Sequence, residues 1–197
     1  VAGRCHASRP GITTRVELYD LYVRDAVPKD YPAISLGLLR GLAAIMNEQI
    51  TTVLSLDEYE RHASEYLTQV DAPERLVDEI RRTRLLEVAG GGIGFEHDFL
   101  YAYFLAEHLR WQARGTAWLA EELQKPRYQA IAEFLVCRND DPTAVRALLA
   151  AVTEPDFFIG VREGHAGPLA EQVVMEDCHT LIRAATEDLA SIAVSIE

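Results

Sequence analysis

Apolar positions recur through most of the chain at the three-to-four-residue spacing of amphipathic helices. Val16, Leu18, Tyr19, Tyr22, Val23 and Ala26 form one stripe, which predicts a helix capped by Thr13 or Thr14 and ending near Val27, before Pro28. Leu38, Leu42, Ile45 and Met46 predict a second helix from 32 or 33 to about 50. Ser55 followed by Glu58 is a capping box, and the helix it heads carries Leu56, Tyr59, Ala63, Tyr66, Leu67 and Val70 on one face. Asp71-Ala72-Pro73-Glu74 opens a further helix that buries Leu76, Val77 and Ile80 and ends near Arg84. There the period changes. Residues 85–89 and 93–95 read as short strands around Gly90-Gly91-Gly92, whose glycines supply the positive φ angles of a tight hairpin. From 98 to 110 or 112 the chain is apolar nearly all round, with Phe99, Leu100, Tyr103, Phe104, Leu105 and Leu109, so this helix is expected to lie buried between layers.

Helices leading directly into strand, glycine turn and strand have the order of a winged helix, a helix-turn-helix with a two-stranded wing. Past Gly115 the pattern shortens. Spans 116–123, 128–137 and 142–152 are predicted helical, with Pro126 and Pro142 at the breaks. Residues 156–167, with Gly160, Gly164 and Gly167, read as a loop. A last helix over about 168–194 carries Leu169, Val173, Leu181, Ile182, Ala185, Leu189 and Ile192. These successive helices suggest the start of an α-solenoid, although no fixed-period repeat is present. The expected fold class is therefore mainly α: a helical bundle containing a winged helix with a small two-stranded hairpin, followed by repeat-like helices. The expected divisions are a lead-in at 1–12, a linking helix at 13–31, a winged-helix domain at 32–112 and a helical region at 113–197.

Composition narrows the chemistry. Apolar residues make up 49% of 197 positions, enough for a sizeable core. Acidic residues outnumber basic ones 31 to 19, a formal charge of −12 that repels phosphate backbones and anionic membranes at long range. Arg81, Arg82 and Arg84 make one local basic cluster, read first as a solvated helix end. Cys5, Cys137 and Cys178 are odd in number and have no metal-ligand spacing, which suggests reduced thiols in a cytoplasmic protein, with Cys137 and Cys178 on apolar helix faces. No apolar run approaches the roughly 18 residues of a membrane helix. The first residues, Val1-Ala2-Gly3-Arg4-Cys5-His6, contain neither a signal-peptide core nor an initiator Met, which suggests a piece of a longer chain.

Catalytic signatures are missing. The sequence has no GxxxxGK[ST] or GxGxxG segment, and the glycines at 90–94 lack the Lys and Ser/Thr of a phosphate cradle. It has no GxSxG elbow or HExxH helix. Glu107-His108 are adjacent and cannot form an i, i+4 metal face, while His62, His165 and His179 stand apart and read as surface or capping residues. The chain reads as non-catalytic, with no metal site and no cofactor of its own.

Arg82-Thr83-Arg84-Leu85-Leu86, the glycine turn, and Phe95-Glu96-His97-Asp98-Phe99-Leu100-Tyr101-Ala102-Tyr103-Phe104-Leu105-Ala106 resemble the winged-helix segment of STAND nucleotide switches, a superfamily that includes the NACHT ATPases and the plant disease-resistance proteins. Leu85-Leu86, Phe95, His97, Phe99, Tyr103-Phe104, Ala106 and Leu109 follow the NACHT pattern in order and spacing, with Ala102 where that pattern has Glu. Glu96-His97-Asp98 is similar to the Met-His-Asp triplet of the plant proteins, and Leu18-Tyr19-Asp20-Leu21-Tyr22-Val23 to the helix joining the nucleotide-binding core to the winged helix. The resemblance implies a regulatory region of a NACHT-like signalling ATPase of bacterial type, with ATP/ADP and Mg bound by the parent protein. Its histidine, here His97 with Asp98, would contact the β-phosphate of ADP in the resting state. The implied partners are the nucleotide-binding domain of the same parent chain and proteins docking on the C-terminal helices, with no membrane and no nucleic acid. Walker A, Walker B and the arginine-bearing sensor are absent, so this chain cannot hold ATP as that family does. Two other readings stand beside it. One is a winged-helix DNA-binding regulator that reads through 73–84 with Arg81, Arg82 and Arg84. The other is a stand-alone helical scaffold.

Overall fold

The computed structural model describes residues 14–68 and 73–194, with side chains to residue 183. The lead-in at 1–12, Cys5, Val70, Asp71 and Ala72, and the side chains of Ala185, Leu189 and Ile192 lie outside the described residues.

Helix α1 spans Arg15–Ala26 and α2 spans Pro32–Gln49. Thr14 caps α1 reciprocally: its hydroxyl accepts from the Glu17 amide at 3.2 Å, and the Glu17 carboxylate accepts from the Thr14 amide at 3.1 Å. A short strand follows α2, β1 at Val53–Ser55, which the sequence pattern does not predict. Ser55 ends that strand and caps α3 at Leu56–Tyr66 through the expected box with Glu58. Helix α4, Pro73–Arg81, stops three residues short of the expected end, so Arg82 and Arg84 lie in the turn beyond it.

Strands β2, Leu86–Ala89, and β3, Gly92–Phe95, form the wing. Gly90 and Gly91 have φ of 60° and 80°, the two consecutive positive angles of a two-residue hairpin turn. The wing is three-stranded, not two-stranded. β3 is its middle strand, with β2 on one side and β1 antiparallel on the other, Leu54 opposite Ile93. The missed strand has a physical signal. Gly92 and Gly94 are bare because β1 presses on them: a Cβ on Gly94 would stand 2.7 Å from the Thr52 carbonyl oxygen.

Helix α5, Asp98–Gln112, lies at the centre as expected, with Leu100, Ala102, Tyr103, Phe104, Leu105, Ala106 and Leu109 buried. It packs against α2 on one side and against the downstream helices on the other. Those are α6 (Thr116–Leu123), a 3-10 helix (Pro126–Ile131), α7 (Ala132–Cys137), α8 (Pro142–Ala150), α9 (Pro155–Arg162) and α10 (Pro168–Val194). The expected helix over 128–137 is thus half 3-10, with Pro126 setting its first turn. The expected loop over 156–167 contains α9. Pro155 starts that helix, the aromatics Phe157 and Phe158 pack against the core, and only Gly164 and Gly167 adopt positive φ. Helices α6, α8 and α10 follow one another in contact. Cys137 is half-buried, whereas Cys178 is exposed on the outer side of α10, against expectation.

One apolar core runs from Val16 to Val173. The buried polar residues Ser35, Asn47 and Gln129 are paired. Gln129 donates to the Leu123 and Ala151 carbonyls and accepts from the Thr153 amide at 2.8 Å, which holds the ends of α6 and α8 together. His62 is an exception. It is neither a cap nor a surface residue, and its Nε2 is buried against Gly41 without a hydrogen-bond partner. Burial lowers its pKa, with Glu65 opposing, and burial followed by Arg40 lowers that of His108. As pH falls, the unfolded chain takes up these protons first. Stability is therefore complete above about pH 6.5 and is lost as pH falls through the folded values. His62→Leu is expected to gain up to about 1 kcal/mol near neutral pH. It should also flatten the acid side of a urea-denaturation series, leaving the His108 contribution. An unchanged acid slope would refute this.

Candidate functional site

The site expected from the sequence forms where the wing meets α5. His97 has extended backbone angles, φ −142° and ψ 147°, and is the residue before the first turn of α5. Its carbonyl accepts from the amides of Leu100 at 2.9 Å and Tyr101 at 3.3 Å, so the main chain starts the helix. Its imidazole does not cap the helix and makes no hydrogen bond among the described residues. Both His97 and Asp98 are exposed, and Asp98 in the first turn complements the positive end of the helix dipole.

The position of His97 is fixed by its neighbours on either side. Phe95 stacks on Phe104 at 5.4 Å between ring centres, which anchors the end of β3 to the buried side of α5. Glu96 donates its amide to the Leu85 carbonyl at 3.1 Å. The Tyr22 hydroxyl reaches across from α1, donating to the Arg84 carbonyl at 2.9 Å and lying 3.3 Å from a Glu96 carboxylate oxygen. Burial, then Glu96, raises the Tyr22 pKa, so it stays a donor. On the far side, the Arg15 guanidinium lies 4.8 Å from the centre of the Phe99 ring. Both α1 contacts, through Tyr22 and Arg15, join residues far apart in the chain and have no short-range sequence signal.

A groove of about 510 Å³ opens along the outer face of the sheet and ends at His97. Its floor is Val53, Ala89 and the backbone of Gly92 and Gly94, with Phe99 at one end. Its polar rim holds Glu87, Glu96 and Asp98 beside His97, and no lysine or arginine among the described residues lines it. This rim bears on the implied nucleotide. One imidazole and a helix N-terminus can touch a phosphate held elsewhere. Three carboxylates in the same groove repel a diphosphate, so the groove cannot hold one by itself. Among the described residues no group of His, Cys, Asp and Glu fits a metal ion.

The alternative site separates. Arg81 donates to Asp78 at 2.8 Å and stands 3.7 Å from Glu60, so its charge is already paired. Arg82 and Arg84 are exposed, but in the turn after α4 and not on a helix face. Arg75 pairs with Glu79 at 2.9 Å, and Glu74 and Asp78 share that surface, which is thus mixed in charge and unlike the basic face of a duplex reader. His165, expected to stand apart, lies with Nδ1 3.3 Å from Arg15 and Nε2 3.5 Å from Glu163.

No helix among the described residues is long and apolar enough to cross a membrane. Comparisons with protein-family models, with curated proteins and with solved structures each returned no match.

Proposed function

We propose that this chain is the winged-helix and adjoining helical region of a NACHT-like STAND signalling ATPase, acting as a non-catalytic regulatory lid in the cytoplasm. The observation that carries the reading is His97. It stands exposed at the mouth of α5, at the position that the family pattern gives its nucleotide-contacting histidine, and no acceptor among the described residues occupies its ring. An uncommitted imidazole beside free helix amides suits contact with an anion presented from outside. The nucleotide-binding domain of the parent protein would hold ADP with Mg, and the bound phosphate would supply the negative charge that His97 reads. Exchange of ADP for ATP with domain rotation would break that contact, so the histidine biases a two-state equilibrium toward rest. The C-terminal helices would serve as the platform for a sensor or partner. The DNA-reading alternative loses support from the paired Arg81 and the mixed charge of α4.

The test uses the parent protein with its nucleotide-binding domain. His97→Ala removes one charge-assisted hydrogen bond, typically about 1.5–3 kcal/mol. ADP release is therefore expected to quicken by roughly 10- to 100-fold, with higher basal activity. Equal ADP off-rates in variant and parent protein would refute the sensor role.

A further inference from the structure

The two faces of the three-stranded sheet differ. Leu54, Leu86 and Ile93 bury the inner face in the core. On the outer face Val53 is 52% exposed, and Phe99 at the end of the groove is 48% exposed. No described element covers Val53, and the α1 side chains that lie against Phe99, Arg15 and Tyr19, leave about half of that residue open. An apolar floor enclosed by carboxylates of one sign suits a side chain with an apolar stem and a cationic head. Arginine fits best, because its guanidinium stacks on an aromatic face and pairs with a carboxylate through two parallel hydrogen bonds. This ring already accepts that chemistry from within the chain, with Arg15 lying 4.8 Å from the Phe99 centre.

We infer that the outer face of the wing sheet docks an arginine-bearing segment of a protein partner, its apolar stems on Val53 and Phe99 and its guanidinium groups on Glu87, Glu96 and Asp98. The inference rests on the proposed function only for the identity of that partner, the nucleotide-binding domain. The chemistry of the segment follows from the groove. The rim then has a role distinct from that of His97: the carboxylates hold the neighbouring polypeptide, and the imidazole at their end meets the anion.

The experiment uses this chain alone and a short fluorescein-labelled arginine–alanine peptide, followed by fluorescence anisotropy. Because a chain of formal charge −12 attracts any cation, the discriminating comparison is between positions. Glu87 is exposed on the edge strand β2, and Glu74 lies on α4 away from the groove. Glu87→Lys is expected to weaken saturable peptide binding by about tenfold, equivalent to roughly 1.4 kcal/mol. Glu87→Gln should give a smaller loss, and Glu74→Lys should stay within about twofold of the parent chain. Circular dichroism confirms that each variant is folded. Equal weakening by Glu87→Lys and Glu74→Lys, absence of saturable binding, or displacement of the peptide by inorganic pyrophosphate would overturn the inference. The assay contains no nucleotide, so its failure leaves the ADP off-rate test of His97 standing, and failure of that test leaves this one standing.

Discussion

Replacing Arg138 by alanine is expected to destabilise the folded chain by about 3 kcal/mol, read as a lower urea midpoint at unchanged denaturant slope. Arg138 closes α7, and its guanidinium joins three helices. It donates to both carboxylate oxygens of Asp20 on α1, one at 2.7 Å, and its Nε stands 3.2 Å from Glu107 on α5. The Tyr103 hydroxyl donates to the same Asp20 carboxylate at 2.8 Å. The arginine side chain is only 22% exposed, and its carboxylate neighbours hold its pKa above the ordinary arginine value against the effect of burial. Truncation therefore leaves Asp20 and Glu107 facing each other without the intervening cation, a larger penalty than the loss of one surface pair. Arg138→Lys should recover only part of the loss, because a point ammonium cannot make the two-pronged contact. Arg146 gives the contrast. It pairs with Asp177 at 3.0 Å and Glu176 at 3.3 Å but is 45% exposed, so Arg146→Ala should cost at most about 1 kcal/mol. Equal losses at the two arginines would refute the distinction.

That cluster shows why some of the fold could be read from the sequence and some could not. Caps, glycine turns and helical stripes are local. Ser55 with Glu58 and the Gly90-Gly91 turn stand as their spacing predicts, and Thr14, one of the two expected caps, heads α1. The central burial of α5 was legible for most of its length from its all-round apolar pattern, although Phe99 and Trp111 near its two ends are exposed. The link between α1 and α7 was not. Arg15 meets Glu133, and Asp20 meets Arg138, each pair 118 residues apart. Two charged residues at that separation carry no periodic mark. Once formed, the pairs fix register, because a slide bringing Arg15 toward Arg138 would set like charges together. Strand β1 was missed for a similar reason: three residues are too few to alternate, and their partner β3 lies some forty residues downstream.

The candidate site divides along the same line. His97 and Asp98 are adjacent and open a helix, so a motif could carry them. The groove beside them is tertiary. Val53 comes from β1, Glu87 from β2, and Phe99 from α5. Its acidic rim is hidden in a chain where 31 acidic residues make any single one unremarkable. α9 was hidden by composition. Gly160 lies inside that helix, although the glycine spacing there resembles a loop. A glycine signals a break only where its φ must be positive, and at Gly160 it is not.

That difference between glycines supplies the second large effect. Gly94→Ala is expected to cost about 3 kcal/mol and to detach β1 from the wing. The added Cβ would stand 2.7 Å from the Thr52 carbonyl oxygen, and a backbone atom cannot move aside as a side-chain end can. At Gly92 the nearest obstacle is a methyl of Val53, which can rotate, although the Leu54 carbonyl at 2.9 Å still opposes the substitution. The turn behaves differently. Gly90 and Gly91 have nothing within 4 Å of an added Cβ, so Gly90→Ala meets only the left-handed backbone penalty of about 1–2 kcal/mol. Asparagine at position 90 should cost less again, since it tolerates that conformation. Hydrogen exchange separates the two mechanisms. Gly94→Ala should speed exchange of the amides shared between β1 and β3, whereas Gly90→Ala should leave that ladder protected and loosen only the hairpin tip. If Gly94→Ala proved as mild as Gly90→Ala, with β1 still protected, close approach of β1 would not be the reason for glycine at 94. The floor of the groove beside His97 would then need another explanation.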